Sequence, residues 1–272
     1  MFLYNSEHKC YSTTNAEVIN RLPAGRYLLK YDAEGDLNFY ESIKLIYDST
    51  NFLPDYTDII NGIDNFAKIK NKYNLYKIPY KLSYIIHGDS GTGKNHILSA
   101  VSDYIIDKLE GIVIDLKYLD INLIRKLIEL HSIQPDRIVL ITISKLDEFI
   151  QMIERDNVFD QFINLLNCKY NFNNFICMMR VNKLESISES MVNNKLLIDH
   201  IIETKLPSSD IRRIFLLDTI HMDDIDKWVN DTAGFSMYNL QELLIMVHIK
   251  LISYNDAIKM IKFNSKKRIG FK

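Results

Sequence analysis

The sequence predicts a three-layer α/β domain with a five-stranded parallel sheet, preceded by a small N-terminal α+β lobe and followed by a C-terminal helical lid. From residue 82 onward, compact apolar runs alternate with helix-like segments, which is typical of a parallel sheet. Turn signals divide the N-terminal part into short segments, and no strand-like run follows residue 207. The predicted units are 1–57, 58–207 and 208–264, with a basic tail at 265–272.

The composition is that of an ordinary globular protein, with 47% hydrophobic and 25% charged residues among 272. The 33 basic residues are balanced by 35 acidic ones, so the formal charge of -2 does not indicate binding of nucleic acid by the chain as a whole. Three scattered cysteines, Cys10, Cys168 and Cys177, predict neither a disulfide framework nor a paired metal motif. We therefore expect a reducing compartment, cytoplasmic or nuclear.

Membrane and secretory segments are not expected. No stretch approaches the roughly 20 continuous apolar residues that a membrane-spanning helix requires. The first residues lack the basic start and the apolar block of a secretory signal.

The N-terminal lobe is predicted to contain a hairpin followed by a helix. Turn residues at 22–25 and 33–36 bracket a strand-like run at 26–31, and the run at 37–40 is placed to return antiparallel. Beyond Pro54, apolar residues recur at helical spacing, which predicts a helix that ends before Pro79. These apolar positions are Ile59, Ile60, Ile63, Phe66 and Ile69.

The remaining elements follow from the same patterns. The five parallel strands are predicted at 82–87, 111–116, 138–143, 175–179 and 198–204. The lid is predicted to consist of four helices at 210–219, 223–232, 237–251 and 254–263.

A glycine-rich loop follows the first parallel strand and precedes an apolar helix. It consists of Gly88, Asp89, Ser90, Gly91, Thr92, Gly93, Lys94 and Asn95. The glycines allow successive backbone N–H groups to turn inward around an anion, and the positive end of the helix dipole points to the same place. Lys94 then supplies a mobile charge for the β and γ phosphates of a nucleotide. Strand, loop and helix stand in the order that a phosphate-binding loop, or P-loop, requires.

The last position of the loop departs from the usual pattern. A Ser or Thr hydroxyl normally coordinates Mg²⁺ there, whereas this chain has Asn95. The amide oxygen of Asn95 is a hard neutral ligand and is a candidate for the metal. Nucleotide binding survives such an exchange more easily than catalysis does.

The chain from residue 62 to the C-terminus resembles an AAA+ ATPase, a member of the P-loop NTPases. The Ile-Pro-Tyr sequence at 78–80 is similar to the lead-in of AAA proteins of the mitochondrial complex III assembly type and their phage and giant-virus relatives. The run 176–184 resembles the fourth strand of the family with its sensor 1 asparagine, a position that Asn182 occupies. The segments 198–215 and 233–240 resemble the fifth strand with its passage into the lid, and the turn that opens the third lid helix.

This resemblance implies ATP and Mg²⁺ as cofactors and a catalytic, sensor 1 role for Asn182. It also implies a homo- or hetero-oligomer that hydrolyses ATP to remodel a macromolecular client. Because the resemblance extends to phage and giant-virus proteins, we also expect that this chain is a viral protein that acts in a host cell. The client itself is not identified by any segment of the chain.

The family's two adjacent acids at the end of the third strand are missing, so the Walker B motif is degenerate. Thr142 and Ile143 stand at those positions, and neither acts as a base at neutral pH. The acids Asp147 and Glu148 follow about four residues later, a displacement of more than ~10 Å in an extended chain. They are secondary candidates for the catalytic acids, and an acidic helix start is the alternative.

Two further residues are candidates for catalytic roles: Asp115 as an alternative Walker B acid, and Arg180 as a substitute for the missing arginine. Asp115 ends an apolar strand, but in the AAA+ strand order this second strand lies away from the loop. The arginine expected before the fifth strand is also missing, and Lys195 is the one cation there. Arg180, just after the fourth strand, is a candidate substitute, with a surface salt bridge as the alternative.

Three functions are consistent with these residues. The first is an ATP-binding AAA+ subunit of an oligomeric hydrolase. The second is a nucleotide-binding scaffold or switch subunit with impaired hydrolysis, which the missing acids, Asn95 and the missing arginine favour slightly. The third is a P-loop kinase, which needs Asp115 or Asp147 near the phosphates.

Overall fold

The computed structural model describes residues 2–5, 10–12, 17–19, 21–42, 54–170, 172–219 and 224–269. The N-terminal part contains five strands: β1 (Phe2–Asn5), β2 (Cys10–Ser12), β3 (Glu17–Ile19), β4 (Gly25–Tyr31) and β5 (Leu37–Glu41). The predicted hairpin is confirmed, because β4 and β5 pair antiparallel. The predicted helix beyond residue 53 is present but divided at Ile69 into α1 (Pro54–Lys68) and α2 (Lys70–Tyr76), the second of which ends before Pro79.

The central part alternates strands and helices as predicted. Its elements are β6 (Lys81–His87), α3 (Lys94–Leu109), β7 (Ile112–Asp115), α4 (Ile121–Ile133), β8 (Val139–Ile143), α5 (Leu146–Arg155), α6 (Phe159–Leu166), β9 (Phe175–Arg180), α7 (Glu189–Val192) and β10 (His200–Glu203). All five predicted parallel strands are present, each within two residues of its predicted bounds.

The C-terminal part is helical in its described residues. It contains α8 (Ser209–Thr219), α9 (Ile225–Asp231), α10 (Met237–Leu244) and α11 (Tyr254–Ile269). The predicted helix 237–251 is not continuous, because a π-helical turn at Ile245–Ile249 follows α10 and Leu251 adopts a left-handed φ of 54°. The start of the second predicted lid helix, at residue 223, and the last three residues of the basic tail lie outside the described residues. Residues 265–269 of that tail continue α11.

The sheet has ten strands rather than the five predicted. Their order is β10-β6-β9-β8-β7-β4-β5-β2-β1-β3, and the first six of these strands run parallel to one another. The difference arises because β4 pairs in parallel with β7, placing Arg26 beside Val113. The strands of the N-terminal part therefore continue the central sheet. Sequence periodicity identifies a strand but not its partner, so this pairing was not foreseen.

Two buried clusters cover the two faces of the sheet and give the three layers of an α/β fold. One face packs against α4, α5 and α6 and includes Val139, Ile141 and Ile143 of β8. The other face packs against α1, α3 and the C-terminal helices, and it includes Leu140 of the same strand. Because side chains alternate along a strand, Thr142 also faces α3. No helix of the described residues is both long and apolar enough to cross a membrane.

Candidate functional site

The glycine-rich loop joins the end of β6 to the start of α3, and three of its glycines adopt left-handed backbone angles. Their φ values are 139° at Gly88, 85° at Gly91 and 99° at Gly93. Residues with a Cβ rarely adopt this region, so the glycines allow the chain to reverse tightly before α3 begins. Gly93 precedes the first residue of that helix, Lys94.

Close packing also requires glycine at two of these positions. A Cβ on Gly88 would lie 2.3 Å from the backbone oxygen of Thr204, just beyond β10. A Cβ on Gly91 would lie 2.8 Å from Oγ of Ser236, the N-cap of α10. The loop is thus held between the end of the fifth parallel strand and the third lid helix. The backbone N–H of Tyr238 donates to the carbonyl of Gly91 at 3.3 Å, which joins the lid to the loop directly.

Lys94 is buried, with 3% of its surface exposed, and its ammonium closes the loop. Its Nζ donates to the carbonyl oxygens of Gly88 at 2.5 Å and Asp89 at 2.6 Å. Burial lowers the pKa of Lys94 to about 8; the positive charge of Arg180 also lowers it, and Asp89 opposes the shift. The ammonium is therefore positioned by neutral carbonyls in a place where it lacks full charge compensation.

The backbone N–H groups in the middle of the loop have no hydrogen-bond acceptor among the described residues. None of the N–H groups from Ser90 to Gly93 donates a hydrogen bond to another described residue. The N-terminus of α3 begins at the same point, and its first N–H groups also lack intrahelical acceptors. Convergent N–H groups, a helix N-terminus and a buried ammonium together make a site for an anion.

Threonine side chains anchor the loop to the sheet. Oγ1 of Thr92 donates to the carbonyl of Asp89 at 2.8 Å and lies 2.7 Å from Oγ1 of Thr204. Oγ1 of Thr204 in turn donates to the carbonyl of His87, the last residue of β6. These hydroxyl contacts hold the loop against the ends of two neighbouring parallel strands.

Asn182, the predicted sensor 1 residue, lies beyond β9 beside the start of the loop. Its carbonyl oxygen accepts a hydrogen bond of 3.2 Å from the N–H of Gly88. Its side chain is exposed. The backbone contact places the residue next to the loop, while a role for its amide in catalysis stays a prediction.

Arg180 and Asn95 are brought together across the cleft between β9 and α3. Nη1 of Arg180 donates to Oδ1 of Asn95 at 2.8 Å, and Nε donates to the carbonyl of Ser144 at 2.6 Å. Burial lowers the pKa of Arg180, and the charges of Asp147 and Glu148 oppose this shift. The amide oxygen proposed from sequence as a metal ligand is therefore engaged by a guanidinium.

The displaced acids Asp147 and Glu148 lie in the first turn of α5. Both carboxylates of the pair act electrostatically on Arg180. The carboxylate of Glu148 also accepts two hydrogen bonds from Lys145, at 2.8 and 2.9 Å. The structure thus brings these acids close enough to Arg180 to act on it electrostatically, and their catalytic role stays a prediction.

A cleft of about 1050 Å³ opens beside Asn95 and runs across the carboxyl ends of β8 and β7. Thr142 donates a hydrogen bond to Asp115, its neighbour on β7. Nε of Arg26 lies 3.6 Å from the same carboxylate, and Nη2 donates to Ser102 of α3 at 2.8 Å. Arg26 was missed by the sequence analysis, because its position depends on the pairing of β4 with β7. The sequence signal that could have indicated a role for Arg26 is its position as an arginine in the strand-like run 26–31.

Among the described residues, no group of three or more His, Cys, Asp or Glu side chains is arranged to hold a metal ion.

Comparison with known proteins adds no constraint on function, since the sequence matches no family model and no curated protein.

Substitution of Gly88 by alanine tests the packing of the loop. We expect G88A to lower the free energy of unfolding by about 1–3 kcal/mol more than G35A does, because its Cβ would collide with the backbone of Thr204. Gly35 is the matched control, since its φ of 87° is also left-handed but no atom lies within 4 Å of its added Cβ. Urea denaturation followed by circular dichroism measures both values. Equal losses would contradict the packing described here.

Proposed function

We propose that this chain binds ATP, with the triphosphate held by the loop 88–95. The observation that carries the proposal is the ammonium of Lys94, which is buried among unpaired N–H groups and bonded to two neutral carbonyls. A buried cation is costly without a counter-charge, and a phosphate supplies one. The fixed N–H groups of the loop supply directional donors for the phosphate oxygens.

The strand order supports an AAA+ type of ATP-binding protein over a kinase. Strands β9 and β8 separate β7 from β6, as the resemblance to AAA+ proteins implies for the second strand. In the strand order of nucleotide kinases, Asp115 at the end of β7 would come closer to the loop. The contact between the lid residue Tyr238 and Gly91 also supports an AAA+ module, because it makes the lid sensitive to the state of the loop.

Hydrolysis is proposed to be slow, so that the chain acts as a nucleotide-dependent scaffold or switch rather than as an efficient ATPase. Neither Thr142 nor Ile143 replaces the general base, and Glu148 is paired with Lys145. A general base contributes about 100-fold or more to a reaction rate. From the resemblance to AAA+ proteins, we also propose that the chain assembles with copies of itself or with related subunits and that it acts on a macromolecule.

Mg²⁺ has no part in this proposal, because the residues present do not fit it. The amide oxygen of Asn95 accepts a hydrogen bond from Arg180, and the end of β8 offers a threonine and a buried isoleucine. Magnesium prefers oxygen ligands that include one or two carboxylates. The residues assigned to the triphosphate are therefore the loop N–H groups and Lys94.

Removal of the Lys94 ammonium tests ATP binding. We expect K94A to weaken binding of a fluorescent ATP analogue by about 100-fold or more, since buried charged hydrogen bonds to the phosphates are lost. K108A is the matched control, because Lys108 lies exposed in the last turn of the same helix. Fluorescence titration gives both dissociation constants. Binding by K94A with wild-type affinity would overturn the proposal.

Turnover tests the impaired hydrolysis. We expect phosphate release well below about 1 per second, the lower end of typical enzyme rates. D147N and E148Q should leave this low rate unchanged if their carboxylates serve only to pair with cations. Faster turnover that falls in either variant would instead make these acids the catalytic pair.

The pKa of Lys94 predicts a pH dependence of ATP binding. Its value of about 8 in the free protein means that the ammonium is charged at pH 7.5 and below, and largely neutral at pH 9.5. Bound phosphates favour the charged form of Lys94, so ATP binding above pH 8 is coupled to uptake of a proton by the Lys94 amine. We expect the dissociation constant to rise roughly tenfold or more from pH 7.5 to 9.5. K94R remains protonated throughout, and its affinity should vary much less; equal slopes for the two proteins would contradict the assignment.

A further inference from the structure

The guanidinium of Arg180 places a positive charge beside Asn95, the last residue of the loop. In P-loops of the usual pattern, the side chain at the position of Asn95 offers a hydroxyl oxygen to Mg²⁺. Here Oδ1 of Asn95 accepts from Nη1 of Arg180, so a cation already occupies the direction that the side-chain oxygen faces. The guanidinium is held on its other side by the carbonyl of Ser144, which follows β8.

Both hydrogen bonds of Arg180 to described residues end on neutral oxygens, which distinguishes it from a surface ion pair. A guanidinium has five N–H donors, so these two bonds leave three for a ligand. The carboxylates of Asp147 and Glu148 influence Arg180 electrostatically, but the nearer cation for Glu148 is Lys145, at 2.8 Å. The charge of Arg180 is thus oriented toward the loop rather than neutralised by direct pairing.

Arg180 and Lys94 form a pair of neighbouring cations. Asn95, the hydrogen-bond partner of Arg180, directly follows Lys94 in the chain, and the charge of Arg180 contributes to the lowered pKa of Lys94. Two cations that are fixed next to each other by neutral carbonyl and amide oxygens are stabilised by an anion that lies between them. A triphosphate in the loop provides this anion, with its terminal phosphates nearest Arg180.

We propose that Arg180 takes the place and the charge of the divalent cation, so that this site binds ATP without Mg²⁺. The inference rests on the proposed ATP binding and deepens it. It also accounts for three departures from the usual P-loop ATPase pattern. Asn95, in place of a hydroxyl residue, orients the guanidinium. Thr142 and Ile143, in place of two acids, remove the carboxylate ligands that a metal would need. Arginine suits this role, because its fork reaches phosphate oxygens while bonding to two protein oxygens.

The first test compares binding with and without the metal. Wild-type protein is titrated with a fluorescent ATP analogue in EDTA and in excess Mg²⁺. We expect the dissociation constant in Mg²⁺ to be no lower than in EDTA, because Mg²⁺ adds no contact in this site and competes for the triphosphate in solution. Tightening by tenfold or more in Mg²⁺ would overturn the inference while leaving ATP binding itself intact. A protein that binds in neither buffer would instead overturn the proposed function.

The second test removes the guanidinium and asks whether the metal replaces it. In EDTA, R180A should bind the ATP analogue at least about tenfold more weakly than wild type, and it should lose its preference for ATP over ADP. Addition of Mg²⁺ should restore part of the affinity of R180A, because the amide oxygen of Asn95 is then free, while wild type should gain none. R213Q is the matched control, since Arg213 pairs with Asp226 on the lid.

A structural role for Arg180 would give a different result. If R180A only loosened the loop, ATP and ADP would lose affinity equally and Mg²⁺ would restore neither, which would contradict the inference. R180K separates the charge of Arg180 from its geometry. The lysine retains the positive charge but cannot bond to Asn95 and Ser144 at the same time. We expect an intermediate affinity for R180K in EDTA, and thermal melting of each variant establishes that it is folded.

Discussion

The buried ammonium of Lys94 is the constraint on which the rest of the site depends. An ammonium that is 3% exposed needs acceptors, and the loop provides two carbonyl oxygens by reversing direction at left-handed glycines. That reversal turns the carbonyls toward Lys94 and leaves the following N–H groups without protein partners. The same tight turn brings the loop into contact with Thr204 and with the lid, which is why a side chain on Gly88 or Gly91 would not fit.

The two cations at the loop are hydrogen-bonded to neutral oxygens rather than to carboxylates. Lys94 is held by carbonyls, and Arg180 is held by the amide of Asn95 and the carbonyl of Ser144. On α5, Glu148 is paired with Lys145, and Asp115 on β7 is engaged by Thr142 and Arg26. A site of this kind favours binding of a polyanion over activation of water, because a water molecule requires a base that is free to accept its proton.

The five parallel strands of the central part were predictable because each is a short apolar run, and the lid helices because of their helical period, whereas β1, β2 and β3 were not predicted. The loop was predictable residue by residue, since the glycines and Lys94 act through local backbone geometry. The contacts of Arg180 were not, because its partners at Asn95 and Ser144 lie on other elements. Arg26 likewise acquires its position from a strand pairing that no local pattern specifies. The break at the π-helical turn was also missed, since its residues continue the apolar period of α10.

The parallel pairing of β4 with β7 has a consequence for the boundaries of the folding unit. Without β4, the backbone groups of Val113 that face it would lose their ladder partners, and the mostly buried strand β7 would become the margin of the sheet. Bare margins of this kind recruit strands from other molecules. The N-terminal segment therefore shields the central sheet from self-association, and a shortened chain that begins at α1 would be prone to aggregate even with its glycine-rich loop intact.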